Sequence, residues 1–221
     1  FLYSSYVGNI TNVATEPMDF FRAWGVDVTY LIIPTEDLLW FWDIFHFSTL
    51  RQPNVLFGDA SVWETTYSLP LLLSGFVSWV LLKKKIKLST GILIVSIFGL
   101  YMSLGPSMKI DAQKPSDMGI LMPAEHASFS TGSEILSSNI PGYKSMRSSY
   151  RWVALSLFGM WWLTIFGLER LLKRHHIMAA AIPLLLIILF FPQIEGKISE
   201  YKDHRESVSN IDETLLKDIK K

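Results

Sequence analysis

The sequence predicts an all-α integral membrane protein: four transmembrane helices, loops gathered on the outer face, and one helix lying in the membrane interface. Three observations predict it. Half of the 221 residues are apolar and only 18% are charged, too apolar a balance for an ordinary soluble domain. Four stretches run free of charge for long enough to cross a hydrocarbon core of about 30 Å. Eight tryptophans supply the amphipathic rings that a membrane interface attracts.

Residues 1–64 read as an outer segment. Within it, "VTYLII" (28–33) is β-branched and expected to be extended, with a break at Pro34. Thr35 followed by Glu36 and Asp37 predicts a helix start, a hydroxyl cap with acids in the first turn. The helix "LLWFWDIFHF" (38–47) is then expected to lie in the outer interface, with Trp40 and Trp42 at headgroup depth. Asp43 and His46 are three apart on it. Two ligands are too few for a metal, so a structural hydrogen bond is expected, with no metal and no cofactor.

The membrane domain is expected over residues 65–194. Its predicted spans are 65–82, 88–105, 152–168 and 177–194, each apolar on all sides rather than along one stripe. Pro70 and Pro183 fall inside the first and fourth spans, where kinks are expected. The connectors "KKKIK" (83–87) and "ERLLKRHH" (169–176) are short and positive, which places both in the cytoplasm. The loop 106–150 then lies outside. Its acids Asp111, Asp117, Glu125 and Glu134 match its bases Lys109, Lys114, Lys144 and Arg147. Residues 195–221 read as the start of an outer C-terminal segment, with Ile211, Leu215, Leu216 and Ile219 as an uncovered apolar stripe. That stripe, and a first residue that is Phe1 rather than methionine, lead to the expectation of a fragment cut at both ends.

A net charge of zero gives no reason to expect nucleic acid as a partner. The absence of cysteine excludes a disulfide framework and a thiolate metal site. Gly-rich nucleotide loops and Ser/His/Asp constellations find no support.

The stretch "IPGYKSMRSSYRW" (140–152) holds the strongest candidate binding residues, Lys144, Arg147 and Arg151. If a helix begins near Ser145, Arg147 and Arg151 are i and i+4 and share a face. Two guanidiniums beside a lysine suit a phosphate or pyrophosphate at the membrane surface. Equally, arginines at a span end snorkel to headgroups or pair with Glu64 and Glu134. Glu64 and Tyr67 stand at the mouth of the first span and complete the substrate-binding candidates.

The order of these features resembles the later part of large bacterial membrane proteins of the GT-C glycosyltransferase type and the YfhO-like group. The shared features are an outer segment ending in a proline turn ("DVTYLIIPTEDLLW"), a Glu-x-x-Tyr entry to a span ("ETTY", 64–67) and a later proline-glycine-aromatic stretch with Arg-x-x-x-Arg ("PGYKSMRSSYR"). The resemblance covers most of residues 24–194. It implies glycosyl transfer from a polyprenyl-phosphate-linked sugar at the outer face of the bacterial inner (cell) membrane, with membrane lipid and the lipid-linked sugar as partners. The catalytic carboxylate of such enzymes lies in a first outer loop that has no counterpart here, so the catalytic residue is unknown. The alternatives are a transporter or flippase for a lipid-linked glycan, or a non-catalytic membrane subunit. Transport predicts charge near the bilayer midplane, and the four runs carry none.

Overall fold

The structure, a computed structural model, describes residues 17–82, 87–139, 148–173, 175–194, 198, 201–206 and 208. A short helix α1 (Met18–Ala23) is followed by α2 (Val28–Ile32). Asp27 caps α2: its Oδ1 accepts from Thr29 N at 2.9 Å and Thr29 Oγ1 at 2.7 Å. The β-branched run expected to be extended is therefore helical, because a local cap outweighs strand propensity.

The expected interfacial helix shrinks to α3 (Trp40–Ile44), a little over one turn. Thr35 does not cap it; its hydroxyl donates to Trp63 O at 3.0 Å. Asp37 and His46 take left-handed backbones, φ 66° and 55°, and so interrupt the helix on both sides. Asp43 and His46 are joined through the backbone, His46 N to Asp43 O at 3.1 Å, rather than through their side chains. Helix α4 (Ala60–Glu64) follows, capped by Asp59, which accepts from Ser61 N at 3.0 Å.

The charge-free runs form α5 (Leu69–Leu82) and α6 (Lys87–Ser103). After Gly105, whose φ of 73° suits a residue without Cβ, come β1 (Ser107–Met108), its antiparallel partner β2 (Phe129–Ser130), and α7 (Ser133–Asn139). A 3-10 turn (Ser149–Trp152) leads into α8 (Val153–Leu172), and α9 (His176–Leu189) comes last of the long helices.

These lengths overturn the four-span, all-α architecture. At 1.5 Å per residue, the 14 residues of α5 and of α9 reach about 21 Å and the 17 of α6 about 26 Å, short of a 30 Å hydrocarbon core. Among the described residues, only the 24 helical residues 149–172 are long and apolar enough to cross. The orientation derived from two inner connectors falls with the spans. The small sheet corrects the all-α class as well.

The shortening has local causes. Thr65 and Thr66 turn their hydroxyls back onto Ser61 O and Val62 O at 2.6 and 2.7 Å, which delays α5 until Ser68 accepts its first helical bond from Leu72 N. Pro70 thus sits in a first turn, where its missing N–H leaves no bond unmade and no kink is called for. At the other end, residues 191–193 leave α9 and pair with 38–40, through Trp40 N to Phe191 O at 3.1 Å and Gln193 N to Leu38 O at 2.9 Å.

Two cores result. The larger joins α1, α2 and α4 to the loop after β1 and to the head of α8, through Phe20, Trp24, Val26, Trp63, Met122 and Val153. The smaller lies between the long helices, at Leu93, Met160 and Leu163.

Candidate lipid cleft and polar layer

The long helices meet through small and hydroxyl-bearing residues. The buried positions of α5 are Gly75, Ser78 and Leu82; those of α6 include Ser89, Ser96, Gly99 and Ser103; those of α8 include Ser156, Gly159, Thr164 and Gly167. A Cβ on Gly75 would come within 2.8 Å of Met160 O, one on Gly99 within 2.8 Å of Ser156 N, and one on Gly159 would strike Ser96 Oγ. The backbones approach closely because no side chain stands between them, as in helix pairs that pack in lipid. Apart from the few in the smaller core, such as Leu93, Met160 and Leu163, large side chains point the other way. Ile94 is 62% exposed, Phe158 58% and Leu184 59%, whereas Ser89, Ser96 and Ser156 are 0% exposed. A water-facing bundle has the opposite arrangement.

Between α5, α8 and α9 this packing leaves an apolar cleft of about 400 Å³, lined by Pro70, Leu73, Val77, Leu168 and Leu185 and bordered by Trp42. Its hydroxyls are engaged: Ser74 and Thr164 lie 3.0 Å apart, and Thr164 Oγ1 donates to Met160 O at 2.9 Å. Trp42 Nε1 donates to Leu189 O at 2.9 Å, tying α3 to the last turn of α9. The cleft offers a ligand shape and dispersion contacts but no charge. It suits a hydrocarbon chain.

Next to it stands Tyr67, one of the predicted site residues. Its ring packs on Trp42 and Phe190, each 5.7 Å between centroids, and its hydroxyl is buried without a partner among the described residues. Burial pushes the phenol pKa far above its ordinary value. Ser68 Oγ and both carboxylate oxygens of Asp43 are likewise buried and unpartnered. Glu64, in contrast, is exposed at the end of α4. Arg151 is exposed in the turn that opens α8, its guanidinium 5.9 Å from the centroid of Tyr150. No ion pair joins Glu64 to Arg151 among the described residues. Lys144 and Arg147, like the stripe at Ile211 to Ile219, lie outside the described residues.

The polar layer above the helices holds charges that sequence reasoning passed over. Lys109 is 2% exposed, and its Nζ donates to the carbonyls of Arg22, Ala23 and Gly25 at 2.9, 3.1 and 2.5 Å. Arg22, also buried, donates from Nε to Ser107 Oγ at 3.0 Å and from Nη1 to Met122 O at 2.9 Å, and pairs with Asp19. Asp27 accepts from the amides of Asp111 and Ala112 at 3.0 and 2.9 Å besides capping α2. These groups hold the first segment to the loop after β1. A signal existed for Lys109: it follows Ser107 by two residues, a spacing that in extended backbone puts both on one face, and it bridges to Asp27 just beyond β1. For Arg51, described further below, none did. No cluster of three or more metal-ligating side chains occurs among the described residues.

Comparison with known protein families, with curated proteins and with solved structures finds no match to this chain.

Proposed function

We propose that this chain binds the hydrocarbon chain of a lipid, as the lipid-handling part of a membrane glycosyltransferase that uses a polyprenyl-phosphate-linked sugar. The observation that carries the lipid reading is the inverted packing of the long helices, small polar residues inward and large apolar ones outward, around an uncharged cleft. The glycosyl-transfer part is supported by the motif resemblance, above all the Arg-x-x-x-Arg before α8. In this reading the lipid chain lies in the cleft between α5 and α9, and Arg151, in the turn that opens α8, holds its phosphate, with Arg147 assigned the same role from the sequence motif alone.

The test uses the chain in nanodiscs with a diazirine-bearing polyprenyl phosphate. Crosslinks are expected at Leu73, Val77 and Leu185, displaced by unlabelled polyprenyl phosphate and lost when Val77→Trp fills the cleft. Arg147→Lys and Arg151→Lys keep the charge but lose the planar fork, and each should weaken phosphate binding by about 1.5–3 kcal/mol. Labelling spread evenly over the outer faces, with no competition, would contradict the cleft. Undiminished binding in both arginine variants would reduce those residues to membrane anchoring.

A further inference from the structure

A cation in the segment between α3 and α4 is used by neither the helix packing nor the lipid reading. Arg51 is partly buried. Its Nη1 donates to Thr35 Oγ1 at 2.9 Å, and its guanidinium lies over the ring of Tyr30, 4.7 Å from the centroid. Among the described residues it makes no ion pair and no second hydrogen bond. A guanidinium carries five N–H donors, so most of them remain for a ligand.

Arg51 lines a pocket of about 460 Å³ together with Gln52, Asp111 and Gln113, while Ile33 and Leu56 give it an apolar wall. The pocket is held from behind. The amides of Asp111 and Ala112 are fixed on the buried Asp27 carboxylate, and Leu56 pairs with Gln113 across an isolated bridge. Asp111 itself takes a left-handed backbone, φ 52°, at the rim. Stacking on Tyr30 and the bond to Thr35 restrict the guanidinium plane in the same way.

Beside the neutral Thr29, Tyr30 and Thr49, the lining therefore presents one cationic, one anionic and two amide side chains. Their charges cancel. A ligand matched to them must be neutral overall and must donate and accept at once, several times over a small area. Vicinal hydroxyls do this: a carboxylate accepts from two, a guanidinium donates to two, and an amide does one of each. An aliphatic wall receives the C–H face of the same molecule. A simple phosphate would meet the Asp111 carboxylate in the same pocket.

From this we infer that the Arg51 pocket binds a neutral polyhydroxylated ligand, a sugar of one or two rings, a size that its volume accommodates. The inference stands apart from the lipid cleft, and its test contains no lipid-linked compound, so the two fail separately.

The experiment is saturation-transfer NMR on the full 221-residue chain, in a detergent without a sugar headgroup. The probes are methyl glucoside, methyl mannoside and methyl galactoside, with methyl phosphate and glycine as the anionic and zwitterionic alternatives. Transfer to at least one glycoside is expected, with about tenfold weaker affinity in Arg51→Lys and in Gln113→Ala, and no change in Glu206→Gln at an exposed site elsewhere. Gln113 is exposed at the rim, so its truncation tests the pocket without disturbing the core. Silence from every glycoside would overturn the inference, as would binding of methyl phosphate or glycine in their place. Glycoside binding that survives both pocket variants would overturn it too.

Discussion

Lys109 couples the polar layer to pH. Burial pushes its pKa down from 10.5 to about 7, with Asp27 pulling it up and Arg22 pushing it further down. Below about pH 7 folded and unfolded chains both carry the proton, and the folded one bears the desolvation cost in full. Between about 7 and 10.5 the unfolded chain keeps a proton that the folded chain releases. Stability therefore rises with pH across that window. Above pH 10 the sign reverses: Tyr30 and Tyr67 have raised values, so the unfolded chain ionises first and stability falls. Thermal midpoints should climb from pH 7 towards 10 and then drop, and Lys109→Met should flatten the climb while leaving the drop. A climb of the same size in Lys109→Met would assign the effect to other groups. The three carbonyls around Nζ lose their donor in that variant, so its stability at pH 7 also measures how far they offset the burial.

At the level of elements, the glycines in the seams make a sharp distinction. Gly159 faces Ser96 and Gly167 faces Ser78 at distances that leave no room for a Cβ, whereas Gly91 has nothing within 4 Å. Gly159→Val should lower stability in detergent by roughly 1–3 kcal/mol through overpacking. Gly91→Ala should raise it by up to about 1 kcal/mol through helix propensity alone. Equal losses at both sites would mean that α6 and α8 do not meet as described. The same seams explain what was legible in the sequence. Apolar runs revealed where the long helices are, because burial or lipid exposure leaves its mark on composition. Their ends were not legible, since α9 stops where residues 191–193 pair with a segment about 150 positions earlier, and Trp42 reaches Leu189 across 147 positions. The short helices follow local caps, Asp27 and Asp59, whereas the hydroxyl of Thr35, whose position before two acids predicts a cap, bonds to Trp63 O instead. Of the candidate site, Tyr67 is placed beside the cleft, and Glu64 is exposed with no ion pair among the described residues. The burial of Lys109 and Arg51 leaves no charge pattern in the chain, because their partners are backbone carbonyls, a hydroxyl and a ring.

The molecule as a whole joins two regions that follow different solvent rules. In the polar layer, aromatic and aliphatic side chains turn inward and the buried Arg22, Asp27 and Lys109 have hydrogen-bond partners, as in a water-facing fold. In the long helices, serines and glycines turn inward beside Leu82, Leu93, Met160 and Leu163, large apolar side chains such as Ile94, Phe158 and Leu184 turn outward, and only 39% of the apolar window of the 149–172 helix is buried. Among the described residues, one helix is long and apolar enough to cross a membrane, three shorter apolar helices accompany it, and large apolar side chains are exposed along them. The sequence contains no cysteine, so nitroxide labels can be placed singly without removing native thiols. The direct measurement is their collision rate in bilayers with oxygen, which partitions into lipid, and with a water-soluble nickel chelate. Labels at Ile94, Phe158 and Leu184 should favour oxygen strongly, while one at the exposed Glu36 favours nickel. If nickel reaches those three positions as readily as it reaches Glu36, the apolar surface faces water and the inverted packing has another cause.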